Sequence, residues 1–197
     1  MLRETLAAAK AREGATDEAA ADLYSSAASV ANAFGEHDEA LEYHGKALAI
    51  YRDVLGERHA DTAMTYNNMA NVFQTQGQHA EALEYYGKAL AIQRDVLGEW
   101  HPSTASTYNN MANVFDDQGR HAEALEYNGK ALAIYRDVLG ERHPSTGDTY
   151  NNMANTHKTL GDMASARELY GKAHAAYLAS DGAEHEETLD AAREAAE

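Results

Sequence analysis

The stretch Thr65-Tyr66-Asn67-Asn68-Met69-Ala70-Asn71-Val72-Phe73 returns as Thr107 to Phe115 and, with two letters changed, as Thr149 to His157, each time after 42 residues. A fixed period of that length marks stacked supersecondary units, each too small to bury its apolar face alone, rather than one central core. The segments His59–Trp100 and His101–Arg142 agree at 33 of 42 positions. Such a chain is an array, and its function belongs to a surface that the repeats share.

Each period reads as two helices. The first is expected from about Ser103 to Gln118, where Tyr108, Met111, Ala112 and Phe115 fall at i, i+3, i+4 and i+7 and form one apolar stripe. Pro102 suits the first turn, where its missing N–H is harmless, and Ser103 or Thr104 can cap it. Gly119 ends that helix. The second runs from about Ala122 to Leu139, with Ala124, Leu125, Ala131, Leu132, Ile134, Val138 and Leu139 as its apolar surface and Gly140 closing it. The same register carries back to an earlier first helix around Asp17 to Phe34, which lacks the Asn-Asn-Met-Ala text. The resulting organisation is a single array over 1–197: a helical fragment at 1–14, four repeats at 17–58, 59–100, 101–142 and 143–184, and a capping helix at 185–197. No linker is long enough to divide it.

Tyr66, Met69, Ala70 and Phe73, followed by Gly77, Ala82, Tyr86 and Ala89, resemble the alternation of large and small packing residues in tetratricopeptide (TPR) repeats. The period exceeds the usual 34 residues. With Tyr-Asn-Asn-Met-Ala, Lys-Ala-Leu-Ala-Ile and Val-Leu-Gly-Glu-Arg-His-Pro, the text is similar to the kinesin-light-chain class. The resemblance implies an all-α, right-handed superhelix of stacked antiparallel helix pairs. It also implies that the first helices line a concave groove for an extended peptide or a partner helix. Asn67, Asn68 and Asn71 match groove positions, some of which hold peptide backbone or a terminal carboxylate in other arrays of this kind.

Physical chemistry singles out the same asparagines. Asn67, Asn68, Asn71, Asn109, Asn110, Asn113, Asn151, Asn152 and Asn155 recur on three helices although asparagine is a mediocre helix former, which implies a compensating use. An amide offers both a donor and an acceptor, so a column of them can pair with a peptide main chain whatever its sequence. Alternatively, some of these amides bond neighbouring helices and fix repeat spacing. Beside them Met64, Gln74 and Thr75 become Ser106, Asp116 and Asp117, then Asp148, Lys158 and Thr159. Fixed amides flanked by varied side chains would give general backbone binding with local selectivity, and Gln74, Asp116 and Lys158 join the candidate peptide-binding set. Drift at tolerant sites explains the remaining differences between the two near-identical repeats equally well.

Other recurrent residues read as architecture. His59, His101, His143 and His185 precede each first helix, one period apart, too far to share an ion, and suit loop packing or capping. His79 and His121 recur after the turn between the two helices of a repeat. Gly45, Gly87, Gly129 and Gly171 fall inside second helices, where close approach of a neighbouring helix would justify them. Lys88, Lys130 and Lys172 are spaced to pair with Glu84, Glu126 and Glu168. Trp100 replaces an arginine found in the sister loops and reads as packing, the alternative being an exposed anchor for a partner.

Composition removes several classes of function. With no cysteine there is no thiolate nucleophile, thiolate metal site or disulfide. A net charge of −16 disfavours phosphate backbones and favours a neutral or basic protein segment, although it also serves solubility. No apolar run approaches the roughly 20 residues of a membrane span, and the N-terminus lacks a signal peptide's apolar centre. No metalloprotease, serine-hydrolase or Walker text is present. The expectation is a cytoplasmic, non-enzymatic interaction module with no cofactor, no metal, no nucleic acid and no membrane partner. The alternative is a structural array that associates with copies of itself through its terminal helices.

Overall fold

The computed structural model describes Gly14 and residues 16–180. Among the described residues all regular structure is helical: α1 (Glu18–Ala33), α2 (His37–Val54), α3 (Ala60–Thr75), α4 (His79–Val96), α5 (Pro102–Asp117), α6 (His121–Val138), α7 (Pro144–Thr159) and α8 (Met163–Ser180). Consecutive helices form four hairpins, α1/α2, α3/α4, α5/α6 and α7/α8. The chain divides into two compact units between Gly98 and Glu99. In the first, α2 packs on α3; in the second, α6 packs on α7. The helical fragment expected at 1–14 and the cap expected at 185–197, with His185, lie outside the described residues.

The hairpins close as the turn residues dictate. At the end of α5 the N–H groups of Gly119 and Arg120 donate to the carbonyls of Asp116 and Phe115, both at 2.8 Å. Gly119 takes φ 72°, a backbone conformation that costs glycine nothing, and it sits at the position where the paired carbonyls need it. The apolar stripe of α5 is buried as expected, with Tyr108, Met111, Ala112 and Phe115 all inside. On α6, Ala124, Ala131 and Ile134 are buried, but Val138 is 45 % exposed because it stands in the last turn, past the reach of the partner helix. Tyr135 is buried there as well.

Within each unit a buried threonine closes the seam between successive hairpins. Thr62, Thr65, Thr104, Thr107, Thr146 and Thr149 are completely buried. Thr62 Oγ1 donates to the Gly56 carbonyl at 2.9 Å and Thr146 Oγ1 to that of Gly140 at 2.8 Å, so the glycine that ends one hairpin is bonded to the first turn of the next. Thr65 and Thr149 donate back along their own helices to Asp61 and Ser145, each at 2.8 Å. A buried hydroxyl needs such a partner, and threonine supplies its own.

Asp17 caps α1, and the other three first helices are capped by histidine, not by Ser103 or Thr104. Nδ1 of His59, His101 and His143 accepts from the backbone N–H of Asp61 at 3.3 Å, Ser103 at 3.1 Å and Ser145 at 3.2 Å. The ring does what an aspartate or serine oxygen does at other helix starts, which leaves Pro102 and Pro144 in the first turn as expected. His101→Ala should lower the stability of the second unit by about 0.5–2 kcal/mol in urea unfolding, whereas His101→Asp should retain most of it.

The close helix approach expected to justify the glycines inside second helices is not found. A Cβ built on Gly45, Gly87, Gly129 or Gly171 meets nothing within 4 Å, so no neighbouring helix requires them. Nothing in the structure accounts for these four residues. Gly129→Ala and Gly171→Ala should each raise the unfolding free energy by about 0.5–1 kcal/mol, and a loss of stability in either would reveal an unseen constraint. The neighbouring lysines behave as expected: Lys46, Lys88, Lys130 and Lys172 reach Glu42, Glu84, Glu126 and Glu168 at 2.7 Å. Lys88 and Lys130 also lie 4.4 Å from the ring centres of Tyr85 and Tyr127, a cation–π contact.

Candidate functional site: the amide face of the first helices

Helical spacing puts Asn67 and Asn71, Asn109 and Asn113, and Asn151 and Asn155 one turn apart, each pair with a further amide at Asn68, Asn110 or Asn152. Asn155 is exposed and the other eight are half-buried. Within the second unit Asn152 Nδ2 points to Asn109 Oδ1 at 3.4 Å, a long contact joining α7 to α5. Within this unit, amides at these two positions therefore meet across α5 and α7.

The third amide position serves the fold in two of the three repeats. The Tyr86 hydroxyl donates to Asn71 Oδ1 at 2.5 Å and lies 3.0 Å from Gln74 Oε1. The Tyr170 hydroxyl donates to Asn155 Oδ1 at 2.5 Å. Each bond fastens a second helix to the first helix of its own hairpin. Between them the pattern breaks: Asn128 takes the place of tyrosine, is 2 % exposed, and its Oδ1 has no hydrogen-bond partner among the described residues. The shorter side chain leaves a cavity of about 160 Å3 that opens to solvent, lined by Asn113, Asp116, Asp117, Asn128, Asn152, Asn155 and Thr156.

The variable flanking residues divide by role. Asp148 Oδ1 accepts from the Tyr177 hydroxyl at 2.8 Å and Asp22 Oδ1 from that of Tyr51 at 2.5 Å, so this position answers to the second helix of its own hairpin. Burial first, and then the Asp22 bond, pushes the Tyr51 phenol well up. Asp116 Oδ1 lies 2.7 Å from His121 Nδ1, as Asn32 Oδ1 lies 2.9 Å from His37 Nδ1. In the second hairpin His79 leaves its buried Nδ1 unpartnered among the described residues. Lys158 replaces Gln74 and Asp116 at the corresponding place on α7 and is exposed.

The remaining polar groups hold loops. Tyr66 donates to Glu57 at 2.9 Å, Tyr108 to Glu99 at 2.6 Å and Tyr150 to Glu141, tying each loop glutamate to the helix that follows. The Tyr150 bond, with the nearby Arg136, holds Glu141 below the usual carboxylate range. His44 occupies the place of Tyr86, Asn128 and Tyr170 in the first hairpin, 2 % exposed, and burial lowers it to about 4. Trp100 is 56 % exposed, so it is a surface residue and not the packing residue expected. Among the described residues no three histidine or acidic side chains gather as a metal site would need, and no helix is long and apolar enough to cross a membrane.

Sequence reasoning found the amide positions but not their division of labour, because the tyrosine partners lie 15 residues away on another helix. It also passed over Tyr86/Asn128. The signal was present: among nine differences between two near-identical repeats, one exchanges an aromatic for an amide at a position in the buried stripe.

Paired helices of this length, repeating with small alanines and large tyrosines in their seams, define an all-α repeat protein of the kind built to present a surface to other proteins. The tetratricopeptide repeat profile matches residues 19–95, 61–137 and 103–179, and the chain belongs to that family. No curated protein matches it. Among solved structures, a putative kinesin light chain from Podospora anserina with nearly identical TPR-like repeats is 26 % identical, with a TM-score of 0.73 over 88 % of this chain and 82 % of that one. BtubC (BKLC) from P. vanneervenii superposes with a TM-score of 0.80 at 19 % identity, over 98 % of this chain and 77 % of its own. Aspartyl phosphate phosphatase F from Bacillus subtilis gives 0.75 at 20 % identity, over 84 % of this chain and 42 % of its own. The last two likenesses concern the fold alone.

Proposed function

We propose that this chain is a TPR interaction module that captures an extended peptide, or a partner helix, along the amide face of its first helices. One observation carries the reading: Asn67/Asn68, Asn109/Asn110 and Asn151/Asn152 stand at the same helical position in three repeats, half-buried, in a family whose fold is typical of protein–protein scaffolds. Asn71 and Asn155 give their carbonyl oxygens to the fold and keep their Nδ2 groups for a ligand, beside the first two amide positions and Asn113. Half-burial restricts the side chains in advance, which reduces the ordering cost of binding. Gln74, Asp116 and Lys158 would supply local selectivity.

A surface carrying a net −16 steers neutral or basic segments toward it and repels nucleic acid. The module acts without a cofactor and without catalysis, and a cysteine-free chain suits a cytoplasmic setting. A random-peptide display selection tests this, counter-screened with Asn109→Ala/Asn110→Ala/Asn151→Ala. The expected result is a shared peptide motif whose binding weakens about 30- to 150-fold on the variant, as loss of two or three hydrogen bonds of about 1 kcal/mol would give. Enrichment indifferent to the variant would move the site elsewhere. No enrichment, together with a mass that rises with concentration, would favour the self-associating array.

A further inference from the structure

We infer that the cavity at Asn128 is a specificity pocket for an arginine side chain of the captured peptide, an inference that rests on the peptide-binding reading. Three differences from the preceding repeat coincide there. Tyr86 becomes Asn128, which opens the space; Gln74 and Thr75 become Asp116 and Asp117, which make its wall acidic. Drift has no reason to place an opening and two carboxylates around one cavity.

The chemistry of the wall selects the occupant. Asn128 lines the cavity, and its buried Oδ1 has no partner among the described residues, so it calls for a donor. Asn113 stands where Asn71 and Asn155 receive a tyrosine proton, and its own hairpin supplies asparagine at that place instead. Asn155 Oδ1 is occupied by Tyr170, and Asp116 Oδ1 by His121, which fixes both side chains in place. Of the residues lining the cavity Asp116 and Asp117 carry charge, and both are acidic. An acceptor-rich, acidic cavity of about 160 Å3 suits the planar guanidinium group, whose fork of five donors can meet amide and carboxylate oxygens together. A phenol would donate one proton and leave the carboxylates desolvated against a ring. An anionic side chain would be repelled.

The test uses the whole chain and four small probes: Nα-acetyl-arginine methylamide, the equally blocked citrulline, the blocked lysine and free arginine, each titrated while amide shifts are followed by NMR. Blocked arginine should give saturable shifts centred on Asn113, Asn128 and Asn152, with affinity roughly tenfold above that of blocked citrulline, the scale of a charge-assisted over a neutral hydrogen bond. Asn128→Tyr restores the side chain present in the sister repeats, so it should keep its helicity while abolishing these shifts. Asp116→Asn/Asp117→Asn leaves the cavity open and should erase the preference for arginine over citrulline. Equal binding of the two, unchanged binding to Asn128→Tyr, stronger binding of lysine, or no saturable shift would overturn the assignment, as would free arginine binding better than its blocked form. The two readings fail separately. Peptides from the display selection that bind Asn128→Tyr undiminished leave the groove standing without the pocket, whereas arginine shifts without any selected peptide leave the pocket without the groove.

Discussion

Alanine in place of Tyr86 is expected to cost the first unit about 3–5 kcal/mol, the range for removing a fully buried aromatic ring. Tyr86 is 0 % exposed and joins α4 to α3 through Asn71 and Gln74. Phenylalanine keeps the ring and loses only the hydroxyl, so Tyr86→Phe should cost about 1–2 kcal/mol, the penalty for a half-buried amide losing its donor. Urea unfolding of the pair separates packing from bonding. Equivalent positions should respond oppositely: Asn128→Tyr should be neutral or stabilising where Tyr86→Ala is ruinous. A loss below about 1.5 kcal/mol for Tyr86→Ala would mean that the hairpin repacks around the hole, and would sink the claim that this tyrosine fastens the repeat.

Acid should act on the first unit through His44, at the same place in the first hairpin. Burial lowers this imidazole to about 4, while an unfolded histidine titrates near 6.5. Between these values the unfolded chain binds a proton that the folded chain refuses, so stability rises with pH across the window. The contribution is complete above about pH 6.5 and lost progressively down to about pH 4, roughly 3 kcal/mol in all. His44→Phe removes the group without opening a cavity. Its stability relative to the parent should improve by roughly 3 kcal/mol between pH 7.5 and pH 4, with the carboxylates common to both proteins cancelling in the comparison. A difference constant with pH would show that water or a rearranged partner reaches the ring.

What the sequence disclosed and what it hid separate by range. Helix boundaries came within a residue or so of the structure, because glycine, proline and apolar spacing act locally: Pro102–Asp117 against an expected start at Ser103 and end at Gln118. The burial of Tyr108, Met111 and Phe115 followed from the same spacing. The histidine caps were only half legible, since the loop position was plain but the use of a ring nitrogen as acceptor depends on rotamer. The completely buried Thr62 and Thr146 were missed, because threonine is usually a surface residue and its partner carbonyl belongs to the preceding hairpin. Asn113 could not be told from Asn71 on its own helix, where the surrounding text is identical from Thr65 to Phe73 and from Thr107 to Phe115. Only the partner across the hairpin distinguishes them.

That dependence on partners also bears on how the chain finds its own order. Hairpins that share 33 of 42 residues invite a helix to dock on the wrong neighbour, the characteristic error of near-identical repeats. The cross-hairpin pairs differ where the rest agrees: Asp22 with Tyr51 in the first hairpin and Asp148 with Tyr177 in the last, whereas Met64 stands at that place in the second and Ser106 in the third. A misdocked Tyr177 would meet Met64 in place of its carboxylate acceptor, and a misdocked Asp148 would lose its donor. These few contacts act as address labels. Erasing them should leave the native state intact but increase the fraction of chains trapped in swapped or slipped assemblies during refolding at high concentration.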